Sequence, residues 1–300
     1  MSQLFPENIR KVGLFPLSLG DQGKDYFETA LKRLDAMGVN YVVSLPEGGE
    51  YRFFAGRDEA RAASFNVLLE DESIDLLFAI RGGVGAVRTL EYIDWELLFR
   101  RNIPVVGYSD MTGFLLAAWG KGFKNGIAGR MAESSFGGTL TPEELDCSAK
   151  ALRDCVAGKV VSPTEEAPLQ GLKPGSVTAP VVPCCLLLLM SLIGTPWMPD
   201  LTGTILVIES IGSDAYQVER DLTQLEQCGI LQSLGGLVFG TFLSCKSPEY
   251  LPVIFRDYAQ KVPGPVCCDF KFGHKEPGAV IRVGGQATLT VADSGAVAFA

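Results

Sequence analysis

The sequence predicts an α/β protein in two parts, a parallel sheet flanked by helices and then a mixed α/β domain ending in β-hairpins. Three observations carry this. Short β-branched apolar runs alternate with helical patterns through the first half, which implies a parallel sheet with helices on both faces. The 300-residue length suits two domains of roughly 100–200 residues each. The last segment breaks into short β runs at Gly284-Gly285 and at Asp293-Ser294-Gly295, as antiparallel hairpins do.

In order along the chain, VGLFPL is a strand, and KDYFETALKRLDAMG is a helix with Phe27, Ala30, Leu31 and Leu34 on one face and Gly38 at its stop. YVVSLP is a strand, DEARAASFNVLLED a helix, IDLLFAI a strand, GAVRTLEYIDWELL a helix and IPVV a strand. This alternation is doubly wound and flavodoxin-like, so a ligand site is expected at the carboxyl ends of the strands. Residues 1–155 form this expected first domain and residues 156–175 read as a linker. Residues 176–300 form the mixed domain: GTILVIES, a helix with Val218, Leu222 and Leu225 on one face and Gly229 at its end, GLVFGTF, a helix over PEYLPVIFRDYAQ, and the hairpins. The uncharged stretch Ser176–Pro199 is interrupted by Pro180, Pro183 and Pro196. Its helical part, Cys184–Ile193, falls far short of the ~20 residues a membrane span needs, so it is expected as a helix buried within the domain.

Composition bounds the function. The chain is 47% hydrophobic and 20% charged, with a formal net charge of −9. Without a basic cluster, neither a nucleic-acid nor a membrane partner is expected. The amino terminus lacks a signal-peptide pattern. Eight cysteines are scattered without zinc-ligand spacing, and the pairs Cys184-Cys185 and Cys267-Cys268 sit in apolar runs. They read as buried small hydrophobes in a reducing cytoplasm, and no metal is expected.

Two strand ends carry candidate chemistry. In IPVVGYSDMTGFLLAAW an apolar run stops at Gly107, and Ser109 then sits on a sharp corner before a helix. Such a corner exposes a nucleophile and aims free helix N–H groups at it. A serine or aspartate there also serves as a plain helix cap, and the corner alone supports both readings. The neighbouring RGGVG, Arg81–Gly85, lets the main chain approach closely, so the N–H groups of Asp110 and Gly83 are candidate oxyanion donors. RGGVG lacks the third glycine of a dinucleotide loop, Arg88 standing in that place, and no organic cofactor is expected. A serine needs a base, and the chain has one histidine, His274, which could equally be a surface loop residue. Glu209, ending the ILVIE strand, could orient that imidazole or cap a helix.

With these residues placed, the chain resembles the LD-carboxypeptidase family of serine peptidases. The similarity runs through AGRDEARAASFNVLLEDESIDLLFAIRGGVGAVRTLEYIDWELL and IPVVGYSDMT, then GLKPGSV, LIGTPWMPDLTGTILVIES, RDLTQLEQCGIL and FGHKEPGAVIRVGGQATL, in the family's order. The resemblance implies cytoplasmic enzymes, homodimeric by precedent, that release the terminal D-alanine of muropeptides. It implies a catalytic triad of Ser109, Glu209 and His274, with no metal or organic cofactor and a small peptide or muropeptide as substrate. Relatives that hydrolyse peptidyl or aminoacyl conjugates in microcin C self-immunity imply an alternative substrate, and an idle triad would leave a muropeptide-binding protein. Three positions depart from the family pattern: Val84 replaces a usual tyrosine, Ala128-Gly129-Arg130 replaces HGP, and Pro183-Cys184-Cys185 replaces GGN.

Overall fold

A computed structural model describes residues 3–20, 25–163 and 169–300. Lys24, at the head of the first expected helix, and positions 164–168 of the expected linker lie outside the described residues. The strands are β1 (Val12–Phe15), β2 (Tyr41–Val43), β3 (Leu76–Ala79), β4 (Val105–Gly107), β5 (Gly126–Ala128), β6 (Val161–Ser162), β7 (Gln170–Lys173), β8 (Gly175–Cys185), β9 (Ile205–Ile211), β10 (Gly236–Leu243), β11 (Val266–Cys268), β12 (Val280–Arg282), β13 (Gly285–Val291) and β14 (Val297–Phe299).

They form two seven-stranded sheets, ordered β2-β1-β3-β4-β5-β12-β6 and β14-β13-β8-β9-β10-β11-β7. In the first, β2-β1-β3-β4-β5 are parallel throughout, the flavodoxin-like order with its switch point between β1 and β3. In the second, β8 to β11 are parallel and antiparallel strands flank them on both sides. The parallel strands β1, β3, β4 and β5 are buried along their whole lengths, as strands covered on both faces must be.

Helices Tyr26–Ala36, Asp58–Glu70 and Thr112–Gly120 follow β1, β2 and β4. The last of these is buried from Thr112 to Ala118, so the helix that begins just after Ser109 lies within the core.

Several expectations are corrected. The segment expected as a linker supplies a strand to each sheet, β6 to the first and β7 to the second. Gly284-Gly285 is not a hairpin turn: β12 pairs with β5 and β6 in the first sheet, whereas β13 pairs with β8 in the second. The chain therefore crosses between sheets at this glycine pair, and Gly284 is tolerated there with φ +75. Asp293-Ser294-Gly295 does close a hairpin, between β13 and β14. The helix expected over Cys184–Ile193 runs only from Leu186 to Leu192, because the β-branched stretch before it continues as β8 through Cys185. Leu186, Leu189 and Leu192 are buried and Leu187 is exposed. GAVRTLEYIDWELL divides into a 3-10 turn, Ala86–Tyr92, and a helix, Trp95–Arg101, because the Asp94 carboxylate accepts from Leu97 N at 2.8 Å and starts a second helix. Among the described residues no helix is long and apolar enough to cross a membrane.

Candidate active site

Ser109 opens a 3-10 turn, Ser109–Met111, directly after β4. Its φ of +59 is left-handed backbone that a non-glycine residue adopts at a cost, and such strain gathers at functional corners. The corner thrusts Oγ out of the sheet edge. Gly82, ahead of the 3-10 turn that follows β3, makes room for it: a Cβ on Gly82 would lie 3.0 Å from Ser109 Cβ and 3.1 Å from its Oγ.

The three expected side chains meet. His274 Nε2 lies 2.8 Å from Ser109 Oγ, and His274 Nδ1 lies 2.7 Å from Glu209 Oε2. Glu209 is in β9 with 1% of its surface exposed. Gly273 lets its carboxylate sit close beneath the imidazole: it has φ +128, and a Cβ there would fall 2.7 Å from Glu209 Oε2 and 2.4 Å from Thr241 Oγ1. The Tyr108 ring packs against the imidazole with centroids 5.2 Å apart. Burial pushes the Tyr108 phenol well above its usual range, so it stays neutral beside the imidazole.

Asp110 does not cap the helix that follows. Its buried carboxylate accepts from Ser18 Oγ at 2.6 Å and from Ala86 N at 2.8 Å, tying the β1 loop and the glycine loop to the nucleophile corner. Burial pushes this carboxyl upward, against the opposing pull of those hydrogen bonds. Gly83 has φ +118 and abuts the Leu19 side chain; Gly82 is the glycine packed on Ser109. Sequence reasoning missed this role of Gly82, although the doubled glycine was its signal. A cavity of about 290 Å³ opens beside Arg81, with Leu19, Gly20, Glu50, Ile80 and Glu133 in its wall. Arg81 Nη1 is 3.0 Å from Glu133 Oε1 and donates to Gly20 O at 3.1 Å.

The departures acquire places. Val84 is exposed on the glycine loop. Pro183, Cys184 and Cys185 end β8 in register with Val207, Ile208 and Glu209, so Cys185 stands beside the Glu209 carboxylate. Burial, then the Glu209 charge, raises the Cys185 thiol well above its usual range, and burial pushes Cys155 and Cys267 up to about 12. These thiols stay protonated at neutral pH and are poor nucleophiles. Iodoacetamide at neutral pH is therefore expected to modify exposed Cys228 and to spare Cys184 and Cys185. The activity that the resemblance implies should stay within about twofold of the untreated rate. Peptide mass spectrometry beside an activity assay checks this, and inactivation in step with Cys185 alkylation would refute it.

Residues 12–129 match the model of the LD-carboxypeptidase N-terminal domain, and residues 178–289 that of the LD-carboxypeptidase C-terminal domain. A Streptomyces coelicolor relative named as a carboxypeptidase is 30% identical over 251 residues, covering 82% of this chain and 78% of its own. Among solved structures, a muramoyltetrapeptide carboxypeptidase from Oxalobacter formigenes superposes with a TM-score of 0.83 at 26% identity, over 96% of this chain and 97% of that one. The microcin C7 self immunity protein MccF without ligand superposes at 0.87 and 18% identity, over 98% and 97%, a likeness of fold. Two domain models in the right order, a relative aligned across most of both chains and the shared two-sheet fold lead to one conclusion: this chain belongs to the LD-carboxypeptidase family.

Proposed function

We propose that this protein is a serine carboxypeptidase that hydrolyses the amide joining an L-centre to a terminal D-amino acid in muropeptides, with Ser109, His274 and Glu209 as its triad. The observation that carries the reading is the unbroken hydrogen-bonded line from Ser109 Oγ through His274 to Glu209, 2.8 Å and 2.7 Å long. A carboxylate can only accept, so Nδ1 holds the proton toward Glu209 and Nε2 is left free to take one from the serine.

Ser109 Oγ attacks the scissile carbonyl carbon while its proton passes to His274 Nε2. The imidazolium then gives that proton to the leaving amine as the C–N bond breaks, and the terminal D-amino acid departs. Water, deprotonated by the same nitrogen, attacks the resulting ester and returns the serine hydroxyl. Glu209 stabilises the imidazolium and fixes its tautomer. The N–H groups of Asp110 and Gly83 are proposed to hold the oxyanion, at the start of the turn and within the glycine loop respectively. The cavity beside Arg81 and Glu133 is proposed to seat a substrate side chain. In this reading the protein works in the cytoplasm as a homodimer and needs neither metal nor organic cofactor.

The identity of the Oxalobacter relative as a muramoyltetrapeptide carboxypeptidase supports the substrate. The test is incubation of the purified protein with muramyl tetrapeptide, followed by mass spectrometry. Release of D-alanine is the expected result. Covalent labelling of Ser109 by a fluorophosphonate without any D-alanine release would move the substrate to another amide, such as a peptidyl conjugate. Muropeptide binding with neither labelling nor release would overturn the enzyme reading.

A further inference from the structure

We propose that Arg130 and Glu276 form a buried clamp that holds the His274 loop onto the nucleophile, making both of them positioning residues for the reaction. The proposal rests on the reading of Ser109, His274 and Glu209 as the triad.

His274 lies on the loop that leaves β11 of the second sheet and enters β12 of the first. Ser109 follows β4 of the first. Glu209 holds the imidazole at Nδ1 but does not fix the loop that carries the ring. Two residues beyond His274, Glu276 points into the first-sheet side. Its Oε2 lies 2.8 Å from Arg130 Nη1 and accepts from Ser148 Oγ at 3.2 Å, while Oε1 accepts from Ser135 Oγ at 2.9 Å. Arg130 directly follows Gly129 at the end of β5, and its side chain is fully buried. Its Nη1 also donates to Gly129 O at 2.8 Å, and its Nη2 donates to the carbonyl of Gly278. The loop is thus gripped at the Glu276 carboxylate and again at the Gly278 carbonyl. Every gripping side chain, Arg130, Ser135 and Ser148, comes from the first half of the chain.

A buried ion pair adds less to stability than apolar packing of the same volume would, because both charges lose their water. What such a pair does well is allow one geometry only, since each of its hydrogen bonds has a direction. Here that geometry sets where the imidazole meets Oγ. Arg130 is also one of the positions where the sequence departs from the family's HGP. The departure therefore has a partner inside the same chain: the guanidinium that replaces the usual residue is matched by Glu276.

The lone histidine makes the test direct. A fluorophosphonate reports the serine–histidine couple without any assumption about substrate: Ser109 Oγ bonds to phosphorus, fluoride leaves and the proton passes to His274. The imidazole Nδ1–H held by a carboxylate gives a single low-field proton resonance. The first variant is Arg130→Met/Glu276→Leu, which keeps the interior filled and removes the grip; the second is Glu276→Asp, which keeps the charge but shortens the reach by one methylene.

Both are expected to remain folded by circular dichroism, to label at least about tenfold more slowly than the wild type, and to broaden or lose the low-field resonance. Glu276→Asp should label faster than the double variant. Wild-type labelling rates and an unchanged resonance in whichever variant folds would overturn the clamp alone. A wild-type protein that neither labels nor shows the resonance would overturn the triad and the clamp together. Unfolding of both variants would also overturn the clamp, because the pair would then serve stability and not position.

Discussion

Ser109→Ala is expected to lower kcat by at least about 10⁴-fold while leaving the fold intact, because removal of a triad nucleophile leaves only binding and oxyanion stabilisation. The hydroxyl hydrogen-bonds to His274 Nε2 at 2.8 Å, and the loss of a hydrogen bond of this kind costs about 1 kcal/mol of stability. The backbone sharpens the prediction. Ser109 sits at φ +59, where alanine is as strained as serine and glycine is not. Ser109→Gly should therefore be equally inactive and yet have a higher Tm than Ser109→Ala. Residual hydrolysis and thermal unfolding of the two variants, side by side, check both halves. Wild-type turnover by Ser109→Ala would end the assignment of the nucleophile.

Gly273→Ala should damage the enzyme almost as much without touching any reacting group. Its φ of +128 lies in a region that alanine avoids at a cost of about 1–3 kcal/mol. The added methyl would also lie 2.7 Å from Glu209 Oε2 and 2.4 Å from Thr241 Oγ1, closer than a side-chain carbon approaches a non-bonded oxygen. Neither obstacle has far to retreat. Glu209 is in a strand buried on both sides, and Thr241 Oγ1 donates to Phe272 O at 2.9 Å. The strand cannot give way, so the His274 loop must, and misplacement of a catalytic group by about 1 Å costs on the order of 10²-fold in rate. The expected outcome is a kcat loss of that order, a KM close to wild type and a lowered Tm, measured by steady-state kinetics and calorimetry. A variant with full kcat would mean that the loop is not held where it lies.

Much of this was legible in the sequence. The first sheet announced itself because each parallel strand is a short apolar run followed by a helix of plain 3.6-residue period. The meeting of Ser109, His274 and Glu209 was legible for a different reason: a serine on a strand-to-helix corner, a carboxylate ending an apolar strand and a single histidine are few enough to be weighed one by one. What escaped has a common physical character. Val280–Arg282 looks like any short strand, and nothing local says that its partner is Ile127–Ala128 across the molecule and not Gln286 beyond the glycine pair. Cys185 beside Glu209 is a matter of register between β8 and β9. Arg130 and Glu276 are separated by half the chain, and a charge pair at that distance leaves no period to detect. The packing of Gly82 on Ser109 depends on where its missing Cβ would point.

The return of Val280–Arg282 to the first sheet bears on how the protein comes into being. During synthesis β5 must wait, the edge away from β4 unpaired, until Val280–Arg282 has left the ribosome, and an open edge is a place where nascent chains associate wrongly. The strand that closes this edge follows immediately on the loop bearing His274, so the nascent chain seals its sheet and receives its proposed proton acceptor in one late event. In the proposed mechanism, a fragment that stops short of this loop would be both sticky and inert.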